Sequence, residues 1–260
     1  MRIIVAFTFV LMIMMNALAN ILPINGVGTG QVSDAYGNLF APAGITFAIW
    51  GVIYLLLGVF TVYQFKKDSK DSSREAALIQ IRLWFAASSV ANTLWILAWH
   101  YDFIGVSLAL MVFILASLIR IALVIRNADF KGKDLLAIKV PFGVYFGWIT
   151  VATIANVTTY LVSIGWDAFG VQEDIWTAGI ILVGLAIGVR ATTWFKDVPY
   201  GLVIIWAYLG ILLKHMSEDG FAGQYMRVVL VTLFALLIMA VFIYKVIYDT
   251  HHKSILRGTK

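Results

Sequence analysis

The chain has 260 residues, of which 62% are hydrophobic and 13% charged, and its mean hydropathy is +0.91. A water-soluble domain is nearer half apolar and a quarter charged, so the composition excludes an ordinary soluble fold and calls for a lipid bilayer as solvent. The net charge of +5 comes from basic residues gathered in short segments between apolar runs, which is a topology signal and not a nucleic-acid footprint; the absence of cysteine excludes disulfides, thiolate metal sites and thiol nucleophiles.

A helix needs about 20 apolar residues to cross a hydrocarbon core of about 30 Å. Eight stretches approach that length, at 3–22, 42–65, 78–99, 103–125, 140–161, 175–194, 199–213 and 225–248. The runs are continuously apolar, without the period-two alternation of a β-barrel, and a spanning backbone must pair within itself. The predicted fold class is therefore all-α, a polytopic membrane helix bundle with eight transmembrane helices. The first run also fits a signal peptide, with Arg2 before it and Ala17-Leu18-Ala19 as a small-residue cleavage site. Asn16 and Asn20 lie one turn apart on one face, which favours a retained helix. Cleavage would leave seven spans and an outside N-terminus.

The connections alternate in charge. Lys66, Lys67, Lys70 and Arg74 follow the second span, Arg126, Lys131, Lys133 and Lys139 the fourth, and Lys196 the sixth, while Lys245, Lys253, Arg257 and Lys260 close the chain. The intervening connections hold Asp34, Asp102, Asp167, Glu173, Asp174, Glu218 and Asp219, with Lys214 and Arg227 as their cations. The positive-inside rule places both termini on the cytoplasmic side of the cell (plasma) membrane. The longest acidic-side connection, 23–41, carries Gly26, Gly28, Gly30 and Gly37 and reads equally as a surface loop or a lid.

Three spans carry polar-aromatic stripes at helical spacing. Phe47, Trp50 and Tyr54 form one, Asn92, Trp95 and Trp99 a second, and Tyr145, Trp148, Ala152 and Asn156 a third. Converging, they would wall a cavity for a planar apolar ligand, with amides to fix its orientation; apart, they are ordinary packing. Trp99 and Trp166, at span ends, read as interfacial belt residues. Asn20, Asn92 and Asn156 read either as a polar ring at a pocket mouth or as interhelical hydrogen bonds. Gly184 and Gly188 have the Gly-x-x-x-Gly spacing of close helix approach, used either inside one chain or in a homodimer.

The order Pro42, Gly44, Phe47, Trp50, Tyr54 resembles the second helix of the TspO/translocator protein family, with Ile49 in place of a proline of that core. Ala91-Asn92-Thr93-Leu94-Trp95 is similar to the family's third helix, and Trp148 to Asn156, with Ala152 and Thr153 between, to its Trp-x-x-x-Ala-Thr-x-x-Asn signature. The family's proline four residues before that Trp is Val144 here, with Pro141 three residues further back. The resemblance covers 1–161, a five-helix part, and leaves 162–260 as a three-helix extension with a basic tail, a long form of what is called a tryptophan-rich sensory protein. It implies a hydrophobic small-molecule ligand of the tetrapyrrole class, such as protoporphyrin or haem, held without covalent attachment at Phe47, Trp50, Tyr54, Asn92, Trp95, Tyr145, Trp148, Ala152 and Asn156, under the 23–41 connection. The family is also associated with light-dependent porphyrin breakdown, but no catalytic motif or paired carboxylate stands in this sequence. A transporter or permease for a small hydrophobic solute is the alternative, weakened by the lack of a mid-span acid. His100 and His215 read as surface polar residues, and Arg82, Arg120 and Arg190 as side chains that snorkel to the cytoplasmic interface.

Overall fold

The computed structural model describes residues 1–22, 24–66, 72–128 and 130–258, with side chains through 252. Lys67, Lys70 and Lys260 lie outside the described residues, as do the side chains of Lys253 and Arg257. Nine α-helices follow in order among the described residues: α1 (Arg2–Ile21), α2 (Thr29–Ala35), α3 (Ile49–Tyr63), α4 (Ser72–His100), α5 (Ile104–Asn127), α6 (Val140–Ser163), α7 (Glu173–Phe195), α8 (Val198–Met216) and α9 (Met226–Gly258). All except the short α2 belong to the eight segments long and apolar enough to cross a membrane. The expected polytopic helical bundle is what the chain forms.

Sequence placed the helices correctly and their ends less so. The fourth helix begins at Ser72, not near 78, and the last runs to Gly258, past 248. The predicted second span opens as a 3₁₀ turn, Gly44–Ala48, and a π-turn, Leu135–Lys139, leads into α6, where Pro141 sits in the first turn and needs no helical N–H partner. Helix α2, inside the glycine-rich connection, was not predicted.

Helices α4 and α6 form the centre. Within their spans 67% and 72% of residues are buried, against 28% for α5, which lies at the outside of the bundle. Helix α4 lies between α1 and α5, and α6 lies against α5, α3 and α8. Val5, Phe9, Met12, Asn16 and Ala19 put one buried face of α1 onto this core. Helices α7, α8 and α9 pack on one another, and α8 docks them on α6.

Lipid chains are as apolar as leucine, so helix association rests on close packing and interhelical hydrogen bonds. Gly143 and Gly147 on α6 supply the close packing. A Cβ on Gly147 would stand 2.8 Å from the Tyr200 carbonyl oxygen, and one on Gly143 would collide with the Asp197 carboxylate. Gly184 receives the Tyr208 hydroxyl, and Gly188 receives Ile204 and Met239, so that predicted glycine pair is used inside the chain. Tyr200 Oη donates to Thr150 Oγ1 at 3.1 Å, and Tyr208 Oη to the Ile181 carbonyl at 2.7 Å.

At the basic face Arg74 grips Asp134 through two hydrogen bonds of 2.6 and 3.0 Å, and Tyr63 Oη donates to the same carboxylate at 2.7 Å. The Arg74 guanidinium holds the Asp134 carboxyl below the usual carboxylate range. Arg82 departs from expectation. It does not snorkel into solvent: it is 3% exposed and paired with Glu75 at 2.6 Å, two helical turns earlier on the same face. Arg120 and Arg190 are exposed, as the snorkelling reading requires.

Candidate ligand cavity

The 3₁₀ turn before α3 sets Phe47 one turn from Trp50 on the face that meets α4 and α6. Trp50 is the hub. Its ring centroid lies 5.5 Å from Tyr54 in a stacked pair, 6.3 Å from Trp95, 6.2 Å from Tyr145 and 6.2 Å from Trp148. Phe47 meets Trp148 edge-on at 5.7 Å, and Trp95 stacks with Trp99 at 6.0 Å. The three stripes therefore converge.

They enclose a cavity of about 40 Å³, lined by Phe47, Trp50, Trp95, Trp99, Trp148 and Pro42, with Val151, Ala152, Ala155 and Asn156 from α6 and Thr29 and Ser33 from α2. Six of the nine predicted residues line it. Tyr54, Asn92 and Tyr145 stand behind the wall. Tyr54 and Tyr145 pack against Trp50, and Asn92 accepts from Asn16 Nδ2 at 2.8 Å and donates to Tyr145 Oη at 3.4 Å. Asn92 thus makes interhelical hydrogen bonds. Asn20 is exposed and donates to the Asn16 carbonyl, so it stands in no polar ring. Asn156 does both jobs, lining the cavity and accepting from Ser107 Oγ at 3.1 Å.

Two aromatic N–H groups in the wall stand out. Trp95 Nε1 and Trp148 Nε1 are buried with no partner among the described residues, as is the Tyr54 hydroxyl behind them. An orphaned buried donor costs about 1–3 kcal/mol. The wall residues Trp95 and Trp148 therefore carry buried donors whose hydrogen bonds are unmade.

The roof is the α1–α3 connection. Helix α2 starts where Gln31 Oε1 accepts from the Gly28 backbone N–H at 2.7 Å, and it turns Thr29 and Ser33 onto the cavity. Trp99 Nε1 donates to the Thr29 carbonyl at 3.1 Å, and Asn25 Nδ2 to the His100 carbonyl at 2.9 Å. Tyr36 Oη donates to Asp102, and burial together with that carboxylate pushes the phenol up to about 12. Asn38 Nδ2 donates to Thr158 Oγ1 at 2.6 Å.

Helix α8 adds four more ties. Lys214 pairs with Asp34 at 2.7 Å, His215 Nε2 bonds the Leu39 carbonyl at 2.9 Å, the Ala43 N–H donates to the Gly210 carbonyl at 3.0 Å, and Trp206 Nε1 donates to the Thr46 carbonyl at 2.9 Å. A carbonyl only accepts, so His215 carries its proton on Nε2.

Three residues differ from their sequence reading. Trp99 is a cavity wall, 5% exposed, and not a belt residue. His100 and His215 are 2% and 0% exposed, and not surface residues. Each sits at a helix end under the roof, where chain folding back over the helix removes it from water. Trp166 does sit at the acidic-face rim, packed edge-on to Phe169 and Trp176.

Fold and site together define a polytopic helical membrane protein with an aromatic cavity roofed by its first interhelical connection. The family described as TSPO-like protein matches residues 2–247, and the chain belongs to that family. The match runs through α7, α8 and most of α9, beyond the 1–161 region that carries the motifs. No curated protein and no solved structure matches the chain.

Proposed function

We propose that this protein binds a planar hydrophobic molecule of the tetrapyrrole class, protoporphyrin or haem, between α3, α4 and α6, and that it acts as a sensor or regulator in the plasma membrane with both termini cytoplasmic. The observation that carries the reading is the convergence of Phe47, Trp50, Trp95, Trp99 and Trp148 on one cavity with a single amide, Asn156. Aromatic faces stack on a flat macrocycle. The buried indole donors of Trp95 and Trp148 suit its carboxylate acceptors. The alternating loop charges support the orientation.

The size of the cavity sets the mechanism. At about 40 Å³ it has room for a water or two, whereas ligand pockets run to about 300–1,000 Å³. The rings fill the space themselves, so binding requires the α2 roof to lift and Trp50 to part from Trp95 and Trp148. The ligand then selects the open state, and the gap in population between open and closed is the signal. Each roof tie broken costs about 1 kcal/mol, so closure is the resting condition and opening is graded by α8.

Titration of the purified protein with protoporphyrin should quench tryptophan fluorescence saturably, and Trp50→Ala or Trp148→Ala should weaken binding at least about tenfold, the loss of a ring contact plus its area. Absence of saturable quenching in two detergents and in nanodiscs would defeat the proposal.

A further inference from the structure

A second cavity, of about 330 Å³, opens at the basic face, where α5 ends, α6 begins and α7 turns into α8. Its inner wall is apolar, made by Phe130, Phe142 and Phe146. Its rim is cationic, with Arg126, Lys139 and Lys196. Lys196 closes α7 in the left-handed conformation (φ 48°), and Lys139 Nζ donates to its carbonyl at 2.8 Å, which fixes both residues at the rim. Asp197 is the one acid among the described lining residues. It is 6% exposed, and its Oδ1 accepts the Tyr200 backbone N–H at 3.1 Å to cap α8, so the three cations outnumber it.

This cavity adjoins another. Phe146, Trp194 and Phe195 border both it and a groove of about 650 Å³ that runs along α5, α6 and α7 between Leu115, Ile119, Ile154 and Ile187. Trp194 is the partition. Arg126 and Arg190 each lie 4.0 Å from its ring centroid, so the charge of the head cavity is anchored where the apolar groove begins. A cationic head, an aromatic at the boundary and an apolar channel toward the middle of the span match the shape and charge order of a membrane lipid.

We propose that the two cavities together bind an anionic phospholipid from the leaflet on the basic face. Its phosphate sits among Arg126, Lys139 and Lys196, and one acyl chain lies in the groove between α5, α6 and α7. The site is separate from the aromatic cavity and shares none of its lining residues.

The test is tryptophan quenching in phosphatidylcholine nanodiscs doped with chain-brominated phosphatidylglycerol or, at the same mole fraction, chain-brominated phosphatidylcholine. The anionic phosphatidylglycerol should quench more strongly. The double variant Arg126→Gln/Lys139→Gln should weaken that preference by about 25-fold, about fivefold per cation, and Ala191→Phe, which fills the groove and leaves the cations, should reduce it as well. Millimolar inorganic phosphate should leave the preference intact. Equal quenching by the two lipids would overturn the proposal even if neither variant folds. A preference that survives the double variant would overturn it too, and so would loss of the preference to inorganic phosphate, which would assign the cations to a free anion.

Discussion

Helices α1 and α3–α6 and helices α7–α9 are built from different materials. The first group brings side chains together: Asn16 on Asn92, Asn92 on Tyr145, and Trp50 among Tyr54, Trp95 and Trp148. The second group packs closely at glycines: Tyr208 seats on Gly184, Ile204 and Met239 seat on Gly188, and α8 brings the Tyr200 carbonyl against Gly147 of α6. Polar and aromatic side chains wall a cavity in the first group; close approach at glycine holds a frame in the second. The two groups meet in the roof, where Lys214, His215, Gly210 and Trp206 of α8 hold the connection that covers the aromatic cavity. Helix α8 thus ties down the cover of a cavity to which α7, α8 and α9 contribute no wall.

That division of labour can be broken most severely at the shared seam. Gly147→Leu should drive α8 from α6 and cost about 3 kcal/mol by overpacking against backbone, seen as a fall in melting temperature in detergent. Gly179→Leu, with nothing within 4 Å of its Cβ position, should leave that temperature unchanged. Equal losses at both positions would remove the reading that close approach at glycine holds the frame.

A smaller effect sits at the turn into α8. Burial pushes the Asp197 carboxyl from 3.8 up to about 6. Between those values the folded state holds a proton that the unfolded state has lost, so stability is full below about pH 4 and is lost as pH rises through about 6. Asp197→Asn keeps the oxygen that accepts from Tyr200 but carries no charge. Melting curves of the variant should lack this decline, and at pH 7.5 it should be more stable than the natural chain by about 2 kcal/mol. A variant less stable at that pH would show that the carboxylate is paired in the fold.

The clamp itself should give the smallest change. His215→Ala removes one tie on Leu39, worth about 1 kcal/mol, and should speed the onset of protoporphyrin quenching about fivefold. An unchanged rate would separate α8 from control of the roof.

Much of this was legible in the sequence. Run length and composition suffice for helices in lipid, because few other folds satisfy a backbone there. The stripes were legible because helical spacing fixes which residues share a face. Their convergence was not, since spacing along one helix says nothing of where the next one stands. Trp99 shows the limit: it continues the Asn92–Trp95 stripe, yet its place at a span end reads as an interface anchor until the roof is seen to cover it. Gly143 and Gly147 went unread because a glycine pair has meaning only through its partner, here Tyr200 and Asp197. Arg82 was misread as snorkelling: its pairing with Glu75 at two helical turns needs the residue buried, which spacing does not tell. The tight closure of the cavity is a purely tertiary fact.

The account rests on a ligand entering a cavity that α2 normally covers, and the chain has no cysteine to interfere with a thiol probe. Ser33 lines that cavity and is 5% exposed, whereas Ser163 is exposed. Single variants Ser33→Cys and Ser163→Cys should be labelled with a maleimide in nanodiscs with and without protoporphyrin. Slow labelling at Ser33→Cys, slowed at least about tenfold further by saturating protoporphyrin, with no change at Ser163→Cys, is the predicted result; labelling at Ser33→Cys that protoporphyrin leaves unaltered would contradict it.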